Sequence, residues 1–184
     1  IASTYGITAS SSIYNNQLTY PYALAIGQAL LLSVGDSSMP SYSAFVNGYA
    51  YPFIDQNVLN ETLPYLTTLS VFSYGFTTQG ELVPPTLDDT FMINSALNAG
   101  VSPILTLTPL GPDGNFNNLL ITNLVNNEEI KATLLENILF TLQEKGFQGV
   151  DIDFEYILPD DRIPFADFVA DTRDFLSPYG YHVS

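Results

Sequence analysis

From residue 44 onward the chain reads as strands and helices in regular alternation, and few folds accommodate that pattern. Short apolar runs rich in β-branched and aromatic residues lie at 44–51, 69–76, 102–108 and 149–156. Helical stretches follow them at 57–67, 88–100, 128–145 and 164–176, and residues 181–184 open a fifth strand. The clearest helix is 128–145, where Ile130, Leu134, Leu135, Ile138 and Leu142 recur at helical spacing and Gly146 follows as a cap. Pro64 falls inside the first helical stretch and works against it. A β-α-β-α order builds a parallel sheet with right-handed crossovers, covered by helices. A doubly wound sheet and a (β/α)8 barrel both satisfy it. Four units make half of a barrel, which typically needs about 250 residues.

Residues 1–34 differ in texture, being rich in Ser, Asn and Tyr and ending in the aliphatic run Ile26-Gly27-Gln28-Ala29-Leu30-Leu31-Leu32. Residues 35–43 carry the small and breaker residues of a linker. The expected organisation is therefore a small N-terminal module (1–34), a linker (35–43) and an α/β domain (44–184).

Charge narrows the partners. Nineteen acidic residues face four basic ones, a net charge of -15, so nucleic acid and anionic membrane surfaces are repelled. Neutral polymers such as polysaccharides stay open. The chain has no cysteine and one histidine, His182, which excludes disulfide scaffolds and cysteine zinc sites and leaves no histidine for a Ser-His-Asp triad. The longest apolar run, 22–32, is too short for a bilayer span of about 20 residues.

The chemistry concentrates in the fourth strand. Asp151, Asp153 and Glu155 alternate with Ile152, Phe154 and Tyr156. Alternate residues of a strand share a face, so the three acids line up about 7 Å apart. An exposed acidic edge strand is one reading, but Val150, Ile152 and the apolar helix before them argue for burial. Three acids on a buried strand suit a metal site or acid–base catalysis, and a chelator would tell these apart. In the second case Asp151 and Asp153 share a proton. Burial and neighbouring charge then raise the pKa of Glu155, keeping it protonated as a general acid at the strand's C-terminal end.

The octet Gln148-Gly149-Val150-Asp151-Ile152-Asp153-Phe154-Glu155 resembles the signature of family 18 glycoside hydrolases, Asp-Gly-x-Asp-x-Asp-x-Glu, with Gln148 in place of the first aspartate. Asn47-Gly48-Tyr49-Ala50-Tyr51-Pro52 is similar to that family's first strand. Val71-Phe72-Ser73-Tyr74-Gly75-Phe76 with Gly80-Glu81-Leu82 is similar to its second, and Gly100-Val101-Ser102-Pro103-Ile104-Leu105-Thr106-Leu107-Thr108 to its third. Phe154-Glu155-Tyr156-Ile157 followed by Pro159-Asp160-Asp161-Arg162 most resembles the branch found in bacterial spore and cell-wall lytic enzymes. Residues 1–34 resemble a LysM module that lacks its first strand, a kind of module that binds N-acetylglucosamine-containing glycans.

The resemblance implies the first four βα units of a TIM barrel behind a partial LysM-like segment. It implies a glycosidase that cleaves N-acetylglucosamine-containing cell-wall polysaccharide, peptidoglycan before chitin, outside the cell or in the spore wall. Glu155 would protonate the glycosidic oxygen, Asp153 would orient the substrate's attacking N-acetyl group, and Asp151 would share a proton with Asp153. No metal or cofactor is required. Tyr49 is similar to a first-strand tyrosine near the acid pair, with a core or wall aromatic as the alternative; Tyr156 and Tyr74 are further substrate-binding candidates, while Phe53 and Phe76 are read as core. The chain has no tryptophan and stops before the family's sixth strand. It is therefore expected to be one part of a longer enzyme, inactive alone, with open strand edges that take the remaining half of the barrel or another copy. A lectin-like glycan binder and a chitinase are the alternatives.

Overall fold

Residues 1–32 and 44–184 are described by the computed structural model; the expected linker, 35–43, lies outside the described residues. The chain divides into two units at that point, Ile1–Ser43 and Ala44–Ser184. In the first, Ser3–Tyr5 forms one 3-10 turn closed by Gly6 at φ 69°. Helix α1 (Ala9–Asn15) follows, its N-terminus capped by Thr8, whose hydroxyl accepts from the Ser11 N–H. Asn16 ties the returning chain down: its Oδ1 accepts from the Leu31 N–H at 2.7 Å and its Nδ2 donates to the Leu31 carbonyl at 2.9 Å. No strand forms among the described residues of this unit.

The second unit is built on six strands: β1 (Asn47–Ala50), β2 (Thr68–Phe76), β3 (Leu82–Val83), β4 (Ser102–Leu107), β5 (Gly149–Ile152) and β6 (His182–Val183). Five are parallel and lie in chain order, β1-β2-β4-β5-β6, while β3 turns back antiparallel on the end of β2. Helices α2 (Gln56–Thr62), α3 (Thr90–Asn98), α4 (Leu119–Val125), α5 (Glu128–Lys145) and α6 (Arg162–Leu176) make the crossovers. Each contributes to one buried cluster, together with the sheet residues Leu69, Val71, Leu105, Leu107 and Val150. The helices thus cover one face of the sheet. Burying a side chain of this size stabilises the fold by about 1.5–3 kcal/mol.

Helix α5 forms over the expected residues, for reasons visible at both ends. Asn127 caps it by accepting from the Glu129 and Ile130 N–H groups, and Glu128 and Glu129 sit in the first turn. Lys145 occupies the last turn and Gly146 closes the helix at φ 83°. The first helical stretch is shorter than expected: α2 ends at Thr62 and a 3-10 turn, Leu63–Tyr65, takes up Pro64. Helix α4 was not expected. Gly75 is required where β2 passes the Leu110 carbonyl, since a Cβ there would lie 1.9 Å from that oxygen. Phe76 is fully buried, as expected, but Phe53 is 72% exposed rather than core.

Candidate active site

Strand β5 is shorter than the sequence suggests. Its ladder ends at Ile152, opposite Leu107, the last residue of β4. One further bond, from the Asp153 N–H to the Leu107 carbonyl at 2.9 Å, keeps the chain extended. Phe154 then packs among Phe76, Phe165 and Phe168 on the helix side. Asp153 and Glu155, to either side of it, line a cavity of about 310 Å³ with Phe72, Pro109, Phe116, Asn118 and Tyr156. The alternation of the acids thus outlasts the strand itself, and Glu155 stands three residues past its end.

Asp151 lies lower and looks elsewhere. Its Oδ2 accepts from the Tyr49 hydroxyl at 2.7 Å, and its Oδ1 accepts from the Ser184 hydroxyl at 3.0 Å. Donors from the two sides of the sheet, β1 and the residue after β6, therefore occupy both oxygens. The hydrogen bond to Asp151 is the main reason that the Tyr49 phenol is pushed up to about 12, with burial and the charges of Asp151 and Asp153 adding to it. Asp153 has no such hydroxyl donors among the described residues. Burial first, then the charges of Asp151 and Glu155, hold its carboxyl above the usual carboxylate range. Hydroxyl donors thus gather on Asp151, and the charge of Asp151 is one of the causes that raise Asp153.

The tyrosines separate clearly. Tyr49 reaches Asp151, and Tyr156, at φ 56° and largely exposed, lines the cavity beside Glu155. Tyr74 does not belong to the site. The β2–β4 register shifts between Val71 and Tyr74, so Tyr74 pairs with Leu107 on the helix-covered face. There it is 1% exposed, donates to Asp89 and stands edge-on to Phe147. Burial above all, with the Asp89 bond next, drives its phenol far upward. Ser184, Phe116 and Asn118 are site residues that sequence reasoning missed. Ser184 and Asn118 carry no motif, and Phe116 lies in a loop. Thr106, in register with Asp151, has a buried hydroxyl oxygen without a hydrogen-bond partner among the described residues.

Among the described residues no group of three His, Cys, Asp or Glu side chains is placed to hold a metal ion, and no helix is long and apolar enough to cross a membrane. A buried neutral-donor cage around one acid, a raised acid above it and a third acid open to a cavity can orient a polar group and transfer a proton to a bound molecule.

No protein-family model matches the chain. Among curated proteins it is 32% identical to the cortical fragment-lytic enzyme of Bacillus subtilis over 129 residues, which is 70% of this chain and 29% of that enzyme. It is 31% identical to the enzyme of the same name from Bacillus cereus over 134 residues, 71% of this chain and 30% of the other. The chain spans about a third of the length of the curated relatives it matches. The crystal structure of the Bacillus cereus spore cortex-lytic enzyme superposes with a TM-score of 0.74 at 27% identity, covering 99% of this chain and 42% of that one. The α/β architecture with its parallel sheet is thus shared with a spore cortex-lytic enzyme.

Proposed function

We propose that the chain is the N-terminal part of a glycoside hydrolase that cleaves N-acetylglucosamine-containing cell-wall glycan by substrate-assisted acid catalysis. In this reading residues 44–184 supply the first four βα units of a family 18 type barrel, and residues 1–34 are a partial LysM-like glycan-binding module. The polymer is peptidoglycan, met outside the cell or in the spore wall. The remaining barrel units would close against the free edges of β1 and β6.

The observation that carries the reading is the stepped arrangement of the three acids. Glu155, open to the cavity, gives its proton to the glycosidic oxygen as the bond to the anomeric carbon breaks. The carbonyl oxygen of the substrate's own N-acetyl group attacks that carbon and closes an oxazolinium ring. Asp153 lines the same cavity and is placed to accept from the acetamido N–H as positive charge develops. Asp151, fixed by Tyr49 and Ser184, supplies the negative field beneath Asp153. Water then opens the ring, and its proton returns to Glu155. The resemblance of the sequence motif and the kinship with cortex-lytic enzymes support these roles.

The test is turnover of purified peptidoglycan by the natural full-length protein, with released fragments identified by mass. Glu155→Gln should reduce the rate by about 10²–10⁴-fold, and a chelator should leave the wild-type rate unchanged. Equal rates for wild type and variant would remove Glu155 from the acid role. Absence of turnover in both, with glycan binding retained, would make the protein a binder.

A further inference from the structure

We infer that Asp161 is a positioning residue for the acid: its buried carboxylate clamps the segment that carries Glu155 to helix α4, and so fixes two walls of the acid cavity against each other; this rests on the reading of the acids as a glycosidase centre. Asp161 follows Glu155 by six residues and does not line the cavity itself. It is 4% exposed, and both of its oxygens reach α4: Oδ2 accepts from the Thr122 hydroxyl at 2.5 Å and Oδ1 from the Asn126 amide at 2.8 Å. Thr122 and Asn126 are four residues apart and share one face of the helix, while Leu120, Ile121, Leu124 and Val125 go to the core. The helix is tied on another side as well, where the Asn123 amide donates to the Thr78 carbonyl at 2.9 Å. Its N-terminal end meets the cavity, which Asn118 and Phe116 line together with Glu155 and Tyr156. One carboxylate therefore joins the chain leading away from the acid to the helix that walls the acid's cavity.

Two features set Asp161 apart from an ordinary aspartate at a helix end. It stands at the N-cap of α6, where such a side chain usually accepts from the first N–H groups of its own helix, yet it makes no bond of that kind. Among the described residues no Lys, Arg or His pairs with it either, so the two donors of α4 are what offset the cost of burying it. The segment it holds has few other fixings. The Asp153 N–H bonds the Leu107 carbonyl, but the N–H groups of Glu155, Tyr156 and Ile157 donate to no carbonyl among the described residues. Phe154 and Ile157 pack against the core on the helix side. Between them the chain reverses at Tyr156, at φ 56°, a left-handed conformation that a residue other than glycine keeps only where its surroundings enforce it. The Tyr156 side chain is 80% exposed and cannot enforce it, so the ends of the segment must. Phe154 is the upstream hold and Asp161 the downstream one, with Glu155 between them.

The experiment uses the natural full-length protein and soluble peptidoglycan fragments. Rates are read at a temperature where every variant is folded, with denaturant midpoints measured alongside. Asp161→Ala removes the clamp and should lower kcat by about tenfold while KM stays within about twofold, because proton delivery is more sensitive to geometry than binding is. The loss is smaller than the roughly hundredfold of a 1 Å misplacement, since Phe154 and Ile157 still hold the segment. Asp161→Asn should bring kcat back to within about threefold of wild type: its amide oxygen still accepts from Asn126, and its N–H can donate to the Thr122 hydroxyl. Thr122→Val, at a half-buried position, should lower kcat by about threefold, and should cost nothing further when added to Asp161→Ala. It serves in place of Asp161→Ala if that variant does not fold. A lower midpoint with unchanged kcat makes the bond purely structural and overturns the positioning role, as does a loss confined to KM. If the wild type turns nothing over, the glycosidase reading fails and the clamp is read by amide hydrogen exchange instead. Faster exchange in the variants confined to 119–126 and 154–158 upholds the clamp, and exchange that is unchanged or uniformly faster overturns it.

Discussion

Tyr74→Phe separates a buried structural hydrogen bond from a role in the site. The Tyr74 hydroxyl donates to Asp89, a fully buried carboxylate that also pairs with Lys145. The substitution removes only that hydroxyl. The ring keeps its edge-on contact with Phe147 at 5.8 Å and its place under the Lys145 ammonium, 5.5 Å from the ring centroid. Packing terms therefore largely cancel, and what remains is a hydrogen bond to a charged acceptor, about 1.5–3 kcal/mol. Lys145 still neutralises Asp89, so the loss should lie near the middle of that range, about 2 kcal/mol or roughly a 30-fold fall in the folded-to-unfolded ratio. Denaturant unfolding of wild type and variant, followed by circular dichroism, reads this as a lower midpoint at unchanged slope. Turnover on glycan at a temperature where both are folded should not change, because Tyr74 lies on the helix-covered face. A variant of undiminished stability with a clearly slower rate would refute this placement and return Tyr74 to the substrate.

Two further outcomes follow from the acids and their neighbours. The folded chain holds the Asp153 proton at pH values where the unfolded chain has released it, so the stability from this group falls as pH rises from the ordinary carboxylate range through its raised value. Asp153→Asn should therefore unfold at higher denaturant than wild type at neutral pH, with the difference vanishing in acid; equal midpoints at neutral pH would contradict the burial and repulsion assigned to it. For Tyr49, pushed up to about 12, the stabilising contribution is complete below the ordinary tyrosine value and lost as pH rises through the folded one. In an absorbance titration the step missing from Tyr49→Phe should fall near 12, and a missing step near the ordinary value of about 10 would show that the bond to Asp151 does not form.

The sequence was most legible where local rules agree with one another. Helix α5 carries a capping Asn127, acids in its first turn, a periodic apolar stripe and Gly146 at its end, and each device points to the same boundaries. Helix α4 has seven residues, and Asn118 caps it with no side-chain hydrogen bond, so nothing local announces it. The acids of the fourth strand were legible as a set because alternation survives the end of the ladder, held by Phe154 in its aromatic cluster. Their different partners were not. Tyr49 lies 102 residues from Asp151 and Ser184 lies 33 away, and only the sheet order brings them to one carboxylate. Tyr74 misled for a related reason: a register shift reverses which face a residue takes, and sequence parity carries no trace of it.

The two faces of the sheet divide stability from chemistry. Leu69, Val71, Leu105, Leu107 and Val150 point to the helices and form the core, while their alternates Thr68, Ser70, Thr106 and Asp151 point to the other side. On that side Asn47 Oδ1 accepts from the Thr68 and Ser70 hydroxyls, at 2.7 and 3.1 Å, and Tyr49 and Ser184 satisfy Asp151. Polar residues on this face find partners on the sheet's own strands, from β1 through to the residue after β6, with the Thr106 hydroxyl as the exception among the described residues. Asp151 is held on that face by hydrogen bonds, and Asp153 and Glu155 line the cavity, outside the apolar core. Substitutions such as Glu155→Gln can therefore alter the chemistry while leaving the apolar cluster intact, which is what allows the acid roles to be tested by mutation.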